Sequence, residues 1–135
     1  VTPLIDEGGF IWICGTFRNS FKGVIKLSSE GTEVLRIHIE DQIVATPVLA
    51  DGSIYLGIDR GVAACYSLER GEQRWTARYA PGCGNDSWSI GYGQETLVLA
   101  GKSTEALPWN NCVFGISSSD GSFRWRFEAT LLLFF

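Results

Sequence analysis

Apolar residues along this chain come in short bursts, each closed by Gly, Asp, Asn or Ser. EVLRIHI (33–39) alternates: Leu35, Ile37 and Ile39 fall on one side, Arg36 and His38 on the other, the pattern of a half-buried strand. FIWIC (10–14) is apolar throughout, as expected of a strand covered on both faces. TPLI (2–5) and GVIKL (23–27) add two more strand candidates nearby. No stretch keeps a 3.6-residue apolar period long enough to predict a helix. The pattern therefore predicts an all-β chain whose turns are made by residues that tolerate positive φ.

The same order of parts recurs. Thr2-Pro3-Leu4-Ile5, DEGG and FIWICG are followed, from residue 46, by Thr46-Pro47-Val48-Leu49, ADGS and IYLG. From residue 89 come Ser89-Ile90-Gly91-Tyr92, GQET and LVLAG. Each copy continues with an apolar segment: GVIKL (23–27), GVAACYSL (61–68) or NCVFGIS (111–117). A polar turn then ends at Gly31, Gly71 or Gly121, and four residues later stand Leu35, Trp75 and Trp125. Four short antiparallel strands repeated at this period describe a β-propeller blade. The expected blades are 1–43, 44–86 and 87–130, followed by an apolar tail, LLLFF, at 131–135. A β-sandwich is the runner-up, but it leaves the repeat unexplained.

The middle copy is the most specific. Thr46-Pro47-Val48, Asp51-Gly52-Ser53-Ile54-Tyr55, Gly61, Cys65-Tyr66-Ser67-Leu68 and Gly71-Glu72-Gln73-Arg74-Trp75 resemble the repeat of PQQ-like propellers, the quinoprotein alcohol dehydrogenase-like family. The third copy keeps Gly121-Ser122-Phe123-Arg124-Trp125, whereas the first keeps Gly31 but has Leu35 at the tryptophan position. WD40 and kelch repeats fit less well, because no WD dipeptide occurs and a double glycine occurs only at Gly8-Gly9. The resemblance implies three four-stranded antiparallel blades of a partial, open propeller. It also implies that Trp75 and Trp125 dock blade to blade, with Gly71 and Gly121 relieving tight turns.

Composition narrows the function. The 135 residues make one domain, and 45% apolar against 19% charged residues exclude intrinsic disorder. Net charge is −4 with no basic stripe, so nucleic acid has no electrostatic footprint. No apolar run approaches the roughly 20 residues of a membrane helix. A chain without Met at position 1 reads either as an excerpt or as a processed product. The second option is an imported or exported chain of an organelle lumen or the periplasm.

Catalytic chemistry finds little to rest on. Cys14, Cys65, Cys83 and Cys112 never form CxxC; three disulfide connectivities exist, and buried free thiols are the plainer expectation. His38 is the single histidine. PGCGND (81–86) is glycine-rich but lacks the lysine of a phosphate loop. Asn85-Asp86-Ser87 matches a glycosylation sequon, relevant only to a secreted chain. Quinone-dependent members of the resembling family use calcium, an aspartate and adjacent cysteines, and this chain has no adjacent cysteines.

What varies between copies is more telling. The loop between second and third strands is TFRNSFK, IDR and KSTEALPWN in turn, and the connection RYAPGCGNDSW is also expanded. In a propeller these segments share one rim, which would display Phe17, Phe21, Trp88 and Trp109, the composition of a protein-binding surface. The expected function is a non-catalytic scaffold, with no cofactor. Its partners would be other subunits, the remaining blades of a larger propeller, or further copies of itself. The alternatives are part of a PQQ-dependent dehydrogenase and a regulatory propeller of an adenylate-forming acyl-activating enzyme.

Overall fold

A computed structural model describes residues 2–79, 89–102 and 111–129. Among them lie twelve strands and no helix, arranged in three four-stranded antiparallel sheets. The first blade holds β1 (Leu4–Ile5), β2 (Ile11–Thr16), β3 (Lys22–Leu27) and β4 (Glu33–His38). The second holds β5 (Val48–Ala50), β6 (Ser53–Ile58), β7 (Val62–Ser67) and β8 (Gln73–Arg78). The third holds β9 (Gly91–Gly93), β10 (Thr96–Lys102), β11 (Asn111–Ser117) and β12 (Phe123–Ala129). Strands follow chain order across each sheet, so every connection within a blade is a hairpin.

The turns explain the strand limits. Asp51 and Gly52 both have positive φ, 50° and 70°, as do Gln94 and Glu95 at 49° and 59°. That pair of left-handed residues matches the twist of a two-residue hairpin, so β5 meets β6 and β9 meets β10 without splaying. Neighbouring blades are tied near their inner strands, where Thr46 bridges Ser89 in parallel and the Ile90 N–H donates to the Thr46 carbonyl at 3.3 Å.

The hydrophobic core lies between sheets. One cluster joins Trp12, Val24 and Ile37 of the first blade to Ile54, Leu56 and Tyr66 of the second. The other joins Tyr55, Cys65 and Trp75 of the second to Leu97, Leu99 and Phe114 of the third. Alternation along each strand makes this arrangement possible, since β7 sends Cys65 to one seam and Tyr66 to the other. Two-sided cover is found at β6, where all six residues are buried. It is not found at FIWIC: Trp12 is buried, but Ile11 and Ile13 are half-buried, because no described blade covers that side of the first sheet.

Candidate functional site

The seams are built on a repeated contact. Trp75, 8% exposed, sends its Nε1 proton across the second seam to the Ser118 carbonyl at 2.9 Å. Gly121 lies beneath the indole; a Cβ there would stand 2.6 Å from the Trp75 ring and 2.8 Å from Ala77. Its φ of 76° is a second reason for glycine. Across the first seam, Gly71 has φ 70° and underlies Leu35 and Ile37 in the same way. Gly71 and Gly121 therefore each seat the outer strand of the preceding blade, a role that the sequence pattern alone does not reveal.

The first seam has a different donor. Leu35 cannot donate, and Lys26, which faces Leu35 in register as Cys65 faces Trp75, supplies the proton instead. Lys26 Nζ reaches the Leu68 carbonyl at 2.8 Å, and Leu68 occupies the turn position of Ser118. The lysine is only 7% exposed and lies over Phe10 and Trp12, 4.3 and 5.2 Å from the ring centroids. Asp6 completes this corner, accepting from Trp12 Nε1 at 2.8 Å and from the N–H groups of Gly8 and Phe10. Burial works against its ionisation. The hydrogen bonds from Trp12, Phe10 and Gly8, with the Lys26 charge, outweigh that and hold the carboxyl below its usual range.

The third blade presents the equivalent surface to no described residue. On that face of β12, Trp125 is 41% exposed and Phe127 66%, while the register shift at Gly115/Ile116 turns Phe123, 63% exposed, to the other face with Ile116. Trp125 lies against Gly115 of its own sheet, where any Cβ would collide with the indole. Among the described residues, Trp125 makes no inter-blade hydrogen bond.

At the loop end of the first blade, Phe17 and Phe21 are half-buried with centroids 5.8 Å apart. Phe21 packs against His38 at 6.0 Å, and the Arg36 guanidinium lies 4.5 Å from its ring centre while pairing with Glu33. These two aromatics thus cover their own blade. Trp88, Trp109 and Cys83 lie outside the described residues.

An open groove of about 620 Å³ runs between the first two blades, lined by Asp6, Phe10, Lys26, Leu49, Leu68 and Arg74 among others. Its two most buried polar side chains, Lys26 and Ser67, are engaged, Lys26 by the Leu68 carbonyl and Ser67 Oγ by the N–H groups of Glu69 and Arg70. Among the described residues no three His, Cys, Asp or Glu side chains converge. Cys14, Cys65 and Cys112 stand on three separate sheets. The described residues do not fit a quinone–calcium centre.

No protein-family model and no curated protein sequence matches the chain. Solved structures do. Quinohemoprotein alcohol dehydrogenase ADHIIG from Pseudomonas putida HK5 superposes with a TM-score of 0.76 at 15% identity, over 94% of this chain and 20% of that one. The quinohemoprotein alcohol dehydrogenase from Comamonas testosteroni gives 0.73 at 12% identity, over 95% and 20%. BamB from Moraxella catarrhalis gives 0.71 at 11%, over 96% and 35%. The chain thus spans about a fifth to a third of the proteins it resembles. It has the fold of three consecutive blades of a PQQ-like β-propeller.

Proposed function

We propose that the chain is a non-catalytic propeller scaffold, an accessory subunit or module of a larger protein assembly. The observation that carries this reading is the uncovered pair of Trp125 and Phe127 on one face of β12. Contiguous exposed aromatics of this kind mark protein contact surfaces, and burying them is worth far more than scattered apolar exposure. Gly71, Trp75, Gly121 and Trp125 are assigned to blade docking. Phe17, Phe21, Trp88 and Trp109 are assigned to a second, loop-borne partner rim. Blades of this fold occur in quinohemoprotein alcohol dehydrogenases and in BamB, so the fold by itself commits the chain to no reaction.

The native assembly containing this chain provides the test. Trp125→Arg with Phe127→Glu should release the chain from its assembly without altering its far-UV circular dichroism. Retention of the doubly substituted chain would sink the reading. Phe21→Ala with Trp109→Ala makes the same test of the loop rim.

A second reading, part of a quinoprotein dehydrogenase, is favoured by the superposition on quinohemoprotein alcohol dehydrogenases. It requires quinone absorbance and bound calcium in the native material, whereas the scaffold reading requires neither.

A further inference from the structure

We infer that the groove between the first two blades is a binding site for an extended basic peptide, one that rests a backbone carbonyl on Lys26 and a lysine or arginine side chain against Glu7 and Glu69. The site is apart from the surfaces assigned above. The groove lies at residues 5–10, where β2 begins, whereas the 17–21 loop follows the end of β2, and β12 belongs to the third blade.

An ammonium group has three protons to place and no lone pair of its own. Lys26 is only 7% exposed, yet the Leu68 carbonyl at 2.8 Å is its single hydrogen-bond acceptor among the described residues. No carboxylate of those residues pairs with it directly: the Asp6 oxygens are taken by Trp12 Nε1 and by the N–H groups of Gly8 and Phe10. The Phe10 and Trp12 rings, 4.3 and 5.2 Å away, offer charge attraction but no lone pair. Buried cations are ordinarily paired or fully hydrogen-bonded. Two unmet protons on one that lines an open groove mark a seat for an incoming oxygen.

The surroundings decide which oxygen fits. Asp6, Glu7, Asp51 and Glu69 line the groove against two cations, Lys26 and Arg74. An anion would carry its charge into that acidic ring, so the acceptor is an uncharged one. Arg74 is already bonded to Ser53, and Asp51 to Tyr92. Glu7 and Glu69 are exposed, and neither carboxylate has a partner among the described residues. They stand on opposite walls, Glu7 in the 6–9 hairpin of the first blade and Glu69 in the 68–71 turn of the second. A neutral hydroxyl compound would leave both without a cation, and a simple amine would leave Lys26 without an oxygen. A basic peptide supplies both at once, and Phe10, Leu49 and Leu68 offer apolar surface to its methylene stem. An open groove of about 620 Å³ admits a segment that passes through.

Titration calorimetry on the full chain tests this with three probes: a short capped peptide alternating alanine and lysine, its glutamate counterpart, and spermidine. The lysine peptide should bind saturably. Spermidine, with cations but no carbonyl, should bind roughly tenfold more weakly, the worth of one hydrogen bond to a charged group, and the glutamate peptide more weakly still. Glu7→Gln with Glu69→Gln should weaken the lysine peptide about fivefold, as expected of two exposed ion pairs. Lys26→Met should bring that peptide down to the affinity of spermidine; if this variant does not fold, the comparison of peptide with spermidine carries the same test. Equal binding of spermidine and peptide would overturn the inference, because rim charge alone would then explain both. Equal binding of the two peptides, or indifference to the Glu7 and Glu69 substitutions, would overturn it as well. Absence of saturable binding would mean that water serves Lys26, and would also overturn it. The chain carrying Trp125→Arg and Phe127→Glu should bind the lysine peptide as the unaltered chain does, so this site and the scaffold reading stand or fall separately.

Discussion

Lys26 Nζ donates to the Leu68 carbonyl across the first seam at the station where Trp75 Nε1 meets the Ser118 carbonyl across the second. One acceptor position is thus served by two unlike side chains on adjacent strands. Lys26→Met keeps an apolar stem but strands the carbonyl, and should lower stability by about 1–3 kcal/mol in urea unfolding. Lys26→Cys combined with Leu35→Trp installs the pair used by the second seam and should be more stable than Lys26→Cys alone. A double variant no better than the single one would show that the seams are not interchangeable.

The glycine floors separate conformation from packing. Gly31→Ala should cost only the left-handed penalty of roughly 1–2 kcal/mol, because its surroundings are open. Gly121→Ala carries the same penalty and drives a methyl into Trp75 and Ala77, adding about 1–3 kcal/mol of overpacking. Comparable urea midpoints for the two variants would contradict the seating of Trp75 on Gly121.

Acid should act through Asp6. Its carboxyl titrates below the usual 3.8 in the folded chain, so the unfolded chain binds more protons as pH falls. The resulting stability is fully present above about pH 4 and is lost as pH drops through the folded value. Asp6→Asn removes this contribution. Its stability should therefore decline less steeply than that of the unaltered chain in urea titrations between neutral pH and the acid limb. Parallel curves would mean that the Asp6 hydrogen bonds do not favour its charged form.

Burial pushes the Cys14 thiol up to about 12, and that of Cys65 above its usual range. At pH 8 the Cys14 thiolate is then roughly one part in ten thousand, too little for attack on a disulfide reagent. Peptide mapping after Ellman treatment should find Cys14 and Cys65 unmodified in the native chain and fully reacted in urea. Rapid native labelling of Cys14 would contradict its half-buried setting beneath β3.

Much of this fold can be read from spacing, because turn chemistry and apolar alternation act locally. The strand limits around Asp51-Gly52 and the alternation of Leu35, Arg36, Ile37 and His38 belong to that local part. Burial does not. Trp75 and Trp125 sit in the same motif, yet one is covered and the other exposed, since cover depends on the neighbouring sheet. Lys26 shows the same limit: within GVIKL it reads as a polar interruption, and only the opposing Leu68 carbonyl gives it a role. FIWIC has the composition of a strand enclosed on both sides but occupies a sheet enclosed on one. Phe17 and Phe21 were legible as loop aromatics, while their packing against His38 and Arg36 depends on where β4 brings those side chains.

Because the core residues collect between sheets, a newly made blade cannot complete its own burial. The first blade must wait for β6 and β7, and the second for β10 and β11. On a ribosome, the sticky surface would therefore travel with the growing end, handed from each finished sheet to the next as it emerges. Synthesis and folding become a relay, and the surface at Trp125 and Phe127 is the baton still in the hand.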